Sequence, residues 1–208
     1  MSGLLASLRD VVPIRALSVT ESLELAERQA DRFLELSGIS APLVPESVIA
    51  DVPRVEVQRM TPSPVSGAAQ WSRGRWLILL KGSEPEARQR FTLAHEFKHV
   101  LDHPFIGVLY PSVCTMTREQ RAEQVCDYFA ACLLMPRSWI IQACEESGVH
   151  PQRLARRFGV SHTAMSKRLA AIGFDRQGEW YRPRRKEASD GRTTTERRRC
   201  DRRAVTTI

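Results

Sequence analysis

Phe91-Thr92-Leu93-Ala94-His95-Glu96-Phe97-Lys98-His99-Val100-Leu101-Asp102-His103 sets a His-Glu-x-x-His pattern inside a helical repeat. Phe91, Ala94, Phe97 and Leu101 recur at spacings of three and four, as the core-facing stripe of a helix does. Ser83 followed by Glu86 reads as a capping-box pair, with Pro85 in the first turn, and Pro104 predicts an end near His103. On such a helix His95 and His99 stand about 40° apart around the axis and about 6 Å apart along it. Both imidazoles can then converge on one metal ion, with Glu96 beside them to hold a water molecule. That is the minimum apparatus of a zinc hydrolase.

A hydrolytic zinc site takes three protein ligands and keeps one position open for water. His103 continues the four-residue series, but it lies about 12 Å along the axis from His95 and is a poor third ligand. A second helix is predicted from Thr117-x-x-Gln120 to Pro136. It carries Glu123-x-x-x-Asp127. Glu123 can reach the metal from across a groove, and Asp127 can accept a hydrogen bond from the far nitrogen of a ligand histidine. Cys126 lies close in sequence to Glu123 and is expected to pack on a different side of the helix, in a bland structural role.

The first block, together with Glu123-x-x-x-Asp127-Tyr128-Phe129-Ala130-Ala131-Cys132-Leu133-Leu134-Met135-Pro136, resembles the ImmA/IrrE family of bacterial zinc peptidases. The likeness covers roughly residues 20–175. The family position matching Asp127 is often asparagine, which can hold a histidine equally well. The resemblance implies a thermolysin-like arrangement: zinc on His95, His99 and Glu123, with Glu96 as general base. Manganese is the alternative metal. It also implies cleavage or inactivation of a helix-turn-helix repressor encoded nearby, relieving repression of mobile-element or stress-response genes.

The expected fold class is therefore α+β: a mainly helical, zincin-like core with a small β-sheet or hairpin and a C-terminal helix-turn-helix-like segment. The organisation read from the chain is an N-terminal extension (1–17), a peptidase core (18–148), a helix-turn-helix-like segment (149–181) and a basic tail (182–208). Ser18-x-x-Glu21 opens a helix to about Leu36 that Gly38 ends, and a short helix is expected around Glu46–Ala50. Val55–Gln58 alternates as a strand does. Val65–Trp71 and Trp76–Lys81 flank Ser72-Arg73-Gly74 as a hairpin, the second strand uniformly apolar and expected to be buried on both faces. Ser66, Gly67, Ala68 and Ala69 form a small-residue stretch that would let a substrate strand approach closely. Tyr110, Tyr128 and His103 are the candidate donors to a developing oxyanion.

Pro151 begins a helix with Leu154, Ala155 and Phe158. Gly159-Val160-Ser161 turns the chain into a second helix with Ala164, Met165 and Leu169. His162, Thr163, Ser166, Lys167 and Arg168 on that helix are candidate contacts to DNA or a partner, although packing onto the catalytic unit is the preferred reading. The formal net charge of the 208 residues is +7. Residues 182–208 hold ten basic and four acidic side chains, a net of +6, which leaves +1 for residues 1–181. The high isoelectric point thus belongs to the tail, which lacks apolar periodicity and reads as disordered. That distribution argues against a body built for nucleic acid. A DNA-binding regulator with a vestigial metal site, or a protein that sequesters a repressor without cutting it, are the competing readings.

No apolar run approaches the ~20 residues of a membrane helix, and Arg9 and Asp10 interrupt the N-terminal apolar stretch. Five scattered cysteines without a Cys-x-x-Cys pair are expected as free thiols in a reducing cytoplasm.

Overall fold

In the computed structural model, residues 3–112 and 116–174 are described. The predicted basic tail, Cys114 and Cys200 lie outside them. Two helices start on capping boxes that the sequence announces. In α2 (Val19–Leu36) the Ser18 side chain accepts from the Glu21 amide while Glu21 accepts from the Ser18 amide. In α6 (Arg118–Leu134) Thr117 and Gln120 do the same. The helix carrying His-Glu-x-x-His, α4 (Glu86–Asp102), starts differently. Pro85 is its N-cap and no side chain caps it, so the expected Ser83–Glu86 box does not form. Proline's fixed φ makes the turn without one.

These three helices meet at Phe33, Phe97 and Phe129, all fully buried. The Phe33 and Phe97 rings are 5.0 Å apart and those of Phe97 and Phe129 6.5 Å. Three such buried side chains contribute a large apolar area at the heart of the fold. The segment before Ser18, read as an extension, is built into this core. Helix α1 (Leu4–Arg9) buries Leu8 completely, and Arg9 donates to the carbonyls of Val100 and Leu101 at 2.7 and 3.2 Å. Those carbonyls belong to the last turn of α4, where a cation is favoured.

After the short helix α3 (Ser47–Ala50), three strands form one sheet in the order β1-β3-β2. Strand β1 (Val55–Met60) runs parallel to β3 (Arg75–Lys81), with Val55 opposite Trp76. Strand β2 (Gly67–Ser72) is antiparallel to β3, with Gly67 opposite Leu80. Arg73 and Gly74 both have positive φ, +49° and +80°, the signature of a type I′ hairpin turn. The expectation that β3 is buried on both faces is corrected. Trp76, Ile78 and Leu80 are buried, whereas Leu77 and Leu79 are only half-buried, because α4 covers one face of the sheet. Strand β2 is an edge, paired with β3 alone among the described residues.

A four-residue helix, α5 (Ile106–Leu109), leads from α4 towards α6. Beyond α6, helix α7 (Arg137–Ser147) ends at Gly148. Helix α8 (Pro151–Phe158) stops at Gly159, whose φ of +63° is the left-handed cap a glycine supplies. Ser161 then caps α9 (His162–Ile172). The helical pair is fastened to the core by Arg168. Its Nε donates to the Met135 carbonyl at 3.1 Å, and its guanidinium lies over the Tyr128 ring at 5.6 Å.

Candidate metal centre

Helix α4 presents His95 and His99 with ring centroids 4.9 Å apart, and their Nε2 atoms are 3.1 Å from one another. Helix α6 brings Glu123 across from them. One carboxylate oxygen is 3.2 Å from His95 Nε2 and the other 3.2 Å from His99 Nε2. The two nitrogens thus face the two oxygens of one carboxylate, all three close contacts lying at 3.1–3.2 Å. A tetrahedral ion with metal–nitrogen bonds of about 2.0–2.1 Å separates its ligand atoms by roughly 3.3 Å. The donor set fits such an ion with little adjustment.

The orientation of His95 is fixed from behind. Its Nδ1 is 2.9 Å from Asp127 Oδ1, one helical turn beyond Glu123. Asp127 is held below the usual carboxylate range, first by this bond to His95. An ionised Asp127 accepts a hydrogen bond from Nδ1–H, which keeps the proton there and leaves the Nε2 lone pair facing Glu123 and His99. Burial pulls the His95 pKa down, but the Asp127 bond and the charges of Asp127, Glu123 and Glu96 push it up by more, so the net shift is upward. His99 is shifted down by burial and by His95.

Glu96 points to the sheet side of α4. It is 9% exposed, and burial raises its pKa. Gly67 on β2 lies directly against it: a Cβ there would come within 2.8 Å of Glu96 Oε1 and 2.3 Å of Thr92 Cγ2. The small-residue stretch therefore has a structural cause that sequence reading missed. Gly67 makes room for Glu96 itself, whatever else the strand accommodates. Ser66 donates to Glu84 at 2.7 Å, and Ala68 and Ala69 are half-buried beside the edge.

Cys126 is fully buried, and burial drives its thiol well above the ordinary value. Its sulfur is nevertheless nearer the centre than expected, within 4.8 Å of a ring nitrogen of each histidine. Glu123, exposed to water and in contact with both Nε2 atoms, is the better donor for a hard or borderline ion.

The proposed oxyanion donors fare differently. Tyr110 is excluded: it is 1% exposed and its hydroxyl donates to Asp102 in the core, an arrangement that pushes its pKa upward. Tyr128 spends its hydroxyl on Glu27 at 3.2 Å. His103, the C-cap of α4, stacks edge-on against Trp76 at 4.8 Å. On α9, Arg168 is corrected as a base contact, because it is 4% exposed and committed to Met135. Thr163 and Lys167 are exposed and line a groove facing α4 and α6, His162 is exposed, and Ser166 is half-buried.

Sequence reading also missed the polar core behind this centre. Lys98, inside the motif, is fully buried and donates to Asp102 at 2.6 Å and to Gln29 at 2.7 Å. Gln29 in turn donates to the Leu8 carbonyl at 3.0 Å. The i, i+4 spacing of Lys98 and Asp102 was the available signal.

Residues 50–170 match the family model of the IrrE N-terminal-like domain, a peptidase family. The chain is 28% identical over 168 residues to the radiation response metalloprotease IrrE of Deinococcus radiodurans, covering 77% of this chain and 50% of that protein. Its fold is similar to that of a Mycobacterium tuberculosis transcriptional regulator, with a TM-score of 0.60 at 18% identity over 86% of this chain and 55% of that one. The chain spans about half the length of these relatives. With more than half of its residues matched by the family model, the chain belongs to the IrrE N-terminal-like domain family.

Proposed function

We propose that this chain is a metal-dependent endopeptidase that cleaves a helix-turn-helix repressor encoded beside it, acting in the cytoplasm. The observation that carries the reading is the convergence of His95 Nε2, His99 Nε2 and the Glu123 carboxylate, with contacts of 3.1–3.2 Å, braced by Asp127 at 2.9 Å. Zinc is the preferred ion, since two imidazoles and a carboxylate in tetrahedral spacing suit it, with manganese as the alternative. A bound divalent ion would polarise the scissile carbonyl and acidify a water molecule towards neutrality.

The remaining chemistry belongs to the chain. Glu96 stands one residue from His95, in a pocket that raises its pKa towards the range a proton shuttle needs. It takes the proton of the attacking water and delivers it to the leaving amine. The Asp127–His95 bond keeps the imidazole from turning as charge moves. Edge strand β2, whose Gly67 abuts Glu96, offers unpaired backbone groups to which an extended substrate can add as a further strand.

Purified protein incubated with the neighbouring repressor should yield discrete fragments, and a chelator should stop this. The Glu96→Gln variant should bind metal and produce no fragments. A stable complex without fragments in the metal-loaded wild type would support sequestration instead.

A further inference from the structure

Beside the metal centre, between α9 and the helices α4 and α6, lies a groove of about 730 Å³. Its floor is apolar, made by Leu23, Phe91, Ala131, Met135 and Ala164. Its rim is cationic. Arg88 comes from α4 and Lys167 from α9. Asp127 is the sole acid of the lining among the described residues, and it is bonded to His95. Arg88 faces Glu84 at a loose 3.8 Å, and no ion pair engages Lys167 among the described residues.

Two further features add positive character. Ser161 and Thr163 bring the N-terminus of the eleven-residue α9 to the groove wall. Arg168, 4% exposed at the base, has its Nη2 buried without a hydrogen-bond partner among the described residues, 3.6 Å from Glu27.

We propose that this groove is a specificity subsite for an acidic, apolar segment of a protein substrate. An apolar side chain sits on the floor, and an aspartate or glutamate is held at the rim by Lys167 and Arg88. Charge complementarity carries the choice of occupant. Two exposed cations over an apolar bed suit one or two carboxylates, whereas affinity for a nucleic-acid backbone is built from many phosphates neutralised together. Because Asp127 belongs both to the groove and to the metal centre, an occupant is seated next to the scissile bond. The inference rests on the peptidase reading for its purpose, but its test does not require cleavage.

The test uses three fluorescein-labelled peptides with one leucine- and alanine-rich sequence and two variable positions filled by glutamate, glutamine or lysine. Each is titrated by anisotropy against the full chain in chelator, and a labelled oligothymidine serves as a fourth probe. The glutamate peptide should bind about three- to tenfold more tightly than the glutamine peptide, as two partly exposed ion pairs allow, and the lysine peptide should bind weakest. The paired substitution Arg88→Glu with Lys167→Glu should reverse that order while leaving the circular dichroism spectrum and zinc stoichiometry unchanged.

Equal binding of the three peptides overturns the subsite. So does a preference that survives charge reversal, or Lys167-dependent binding of the oligothymidine alone. A glutamate preference in a chain that fails to cut its repressor would leave the subsite standing and refute the peptidase reading instead.

Discussion

Asp127 Oδ1 stands 2.9 Å from Nδ1 of His95, on the side of the imidazole away from Glu123. The bond couples the two active-site helices through one proton and selects the tautomer whose Nε2 can bind metal. Asparagine, through its side-chain carbonyl, can accept the same hydrogen bond; alanine cannot. Asp127→Ala should lower zinc affinity by about 10- to 100-fold, the usual cost of losing such a partner, whereas Asp127→Asn should lie much closer to wild type. Competition with a chromophoric chelator measures both. Equal losses in the two variants would mean that the carboxylate charge, not the hydrogen bond, does the work.

Glu123 and Cys126 make opposite predictions for the metal. Glu123 touches both Nε2 atoms at 3.2 Å from the solvent side, while the Cys126 sulfur approaches from the core as a thiol that burial keeps protonated. Glu123→Ala should drop zinc below one equivalent after dialysis, and Cys126→Ser should retain it. Metal analysis of the two purified variants decides. Full occupancy in Glu123→Ala together with loss in Cys126→Ser would replace the carboxylate by the thiolate as third ligand.

Gly67 is constrained by what lies beneath it. A Cβ would meet Thr92 Cγ2 at 2.3 Å and Glu96 Oε1 at 2.8 Å, so even alanine must displace the proposed base. Gly67→Ala should cut the rate of repressor cleavage by tenfold or more, on the scale of losing a positioned general base. Zinc affinity should stay unchanged, because no ligand moves. Combining it with Thr92→Ser removes the harsher contact and should recover part of the lost thermal stability. If Gly67→Ala cleaves normally, Glu96 does not need the position it holds here.

Much of this arrangement was legible because it is local. The Ser18–Glu21 and Thr117–Gln120 boxes, the histidine spacing and Glu123-x-x-x-Asp127 each fit within one or two turns of helix. The helix stop at Gly38 and the turn at Arg73-Gly74 are also local, set by positive φ. What escaped notice depends on residues far apart in sequence. Gly67 looked like a docking feature because its neighbours Thr92 and Glu96 lie beyond the strand. Arg168 looked like a surface cation because its acceptor is the carbonyl of Met135, 33 residues earlier. Tyr110 looked free because Asp102 reads as an ordinary helix-end charge. A lysine is normally solvent-exposed, so its i, i+4 spacing to Asp102 was the one hint that Lys98 is buried in a pair.

Lys98 and Asp102 carry a stability prediction. Both are buried, 2.6 Å apart, with Gln29 and Tyr110 completing the network. Removing only the cation strands a carboxylate in the core. Lys98→Met should cost about 3–5 kcal/mol in urea denaturation, the range for breaking a buried pair from one side. Adding Asp102→Asn should recover a large part, since the remaining groups are then neutral. A Lys98→Met variant within about 1 kcal/mol of wild type would show that water reaches Asp102.

Glu96 gives a pH prediction whose sign follows from its burial. In the fold its pKa is raised above the ordinary 4.5, chiefly by desolvation, which outweighs the pull of His95, with a lesser push from Glu123. Well below pH 4.5 both folded and unfolded chains hold the proton, and the group contributes nothing to the pH dependence. As pH rises past that value the unfolded chain releases its proton first, so ionisation favours unfolding. The penalty grows until pH passes the folded pKa and is constant above it. Glu96→Gln cannot ionise and escapes it. In chelator at pH 7 the variant should therefore melt at a higher temperature than wild type, and this advantage should vanish as pH falls below about 4.5. Calorimetry across that range measures it. A variant that melts lower than wild type at pH 7 would place the Glu96 carboxylate in a stabilising contact, incompatible with a buried base held ready to take a proton.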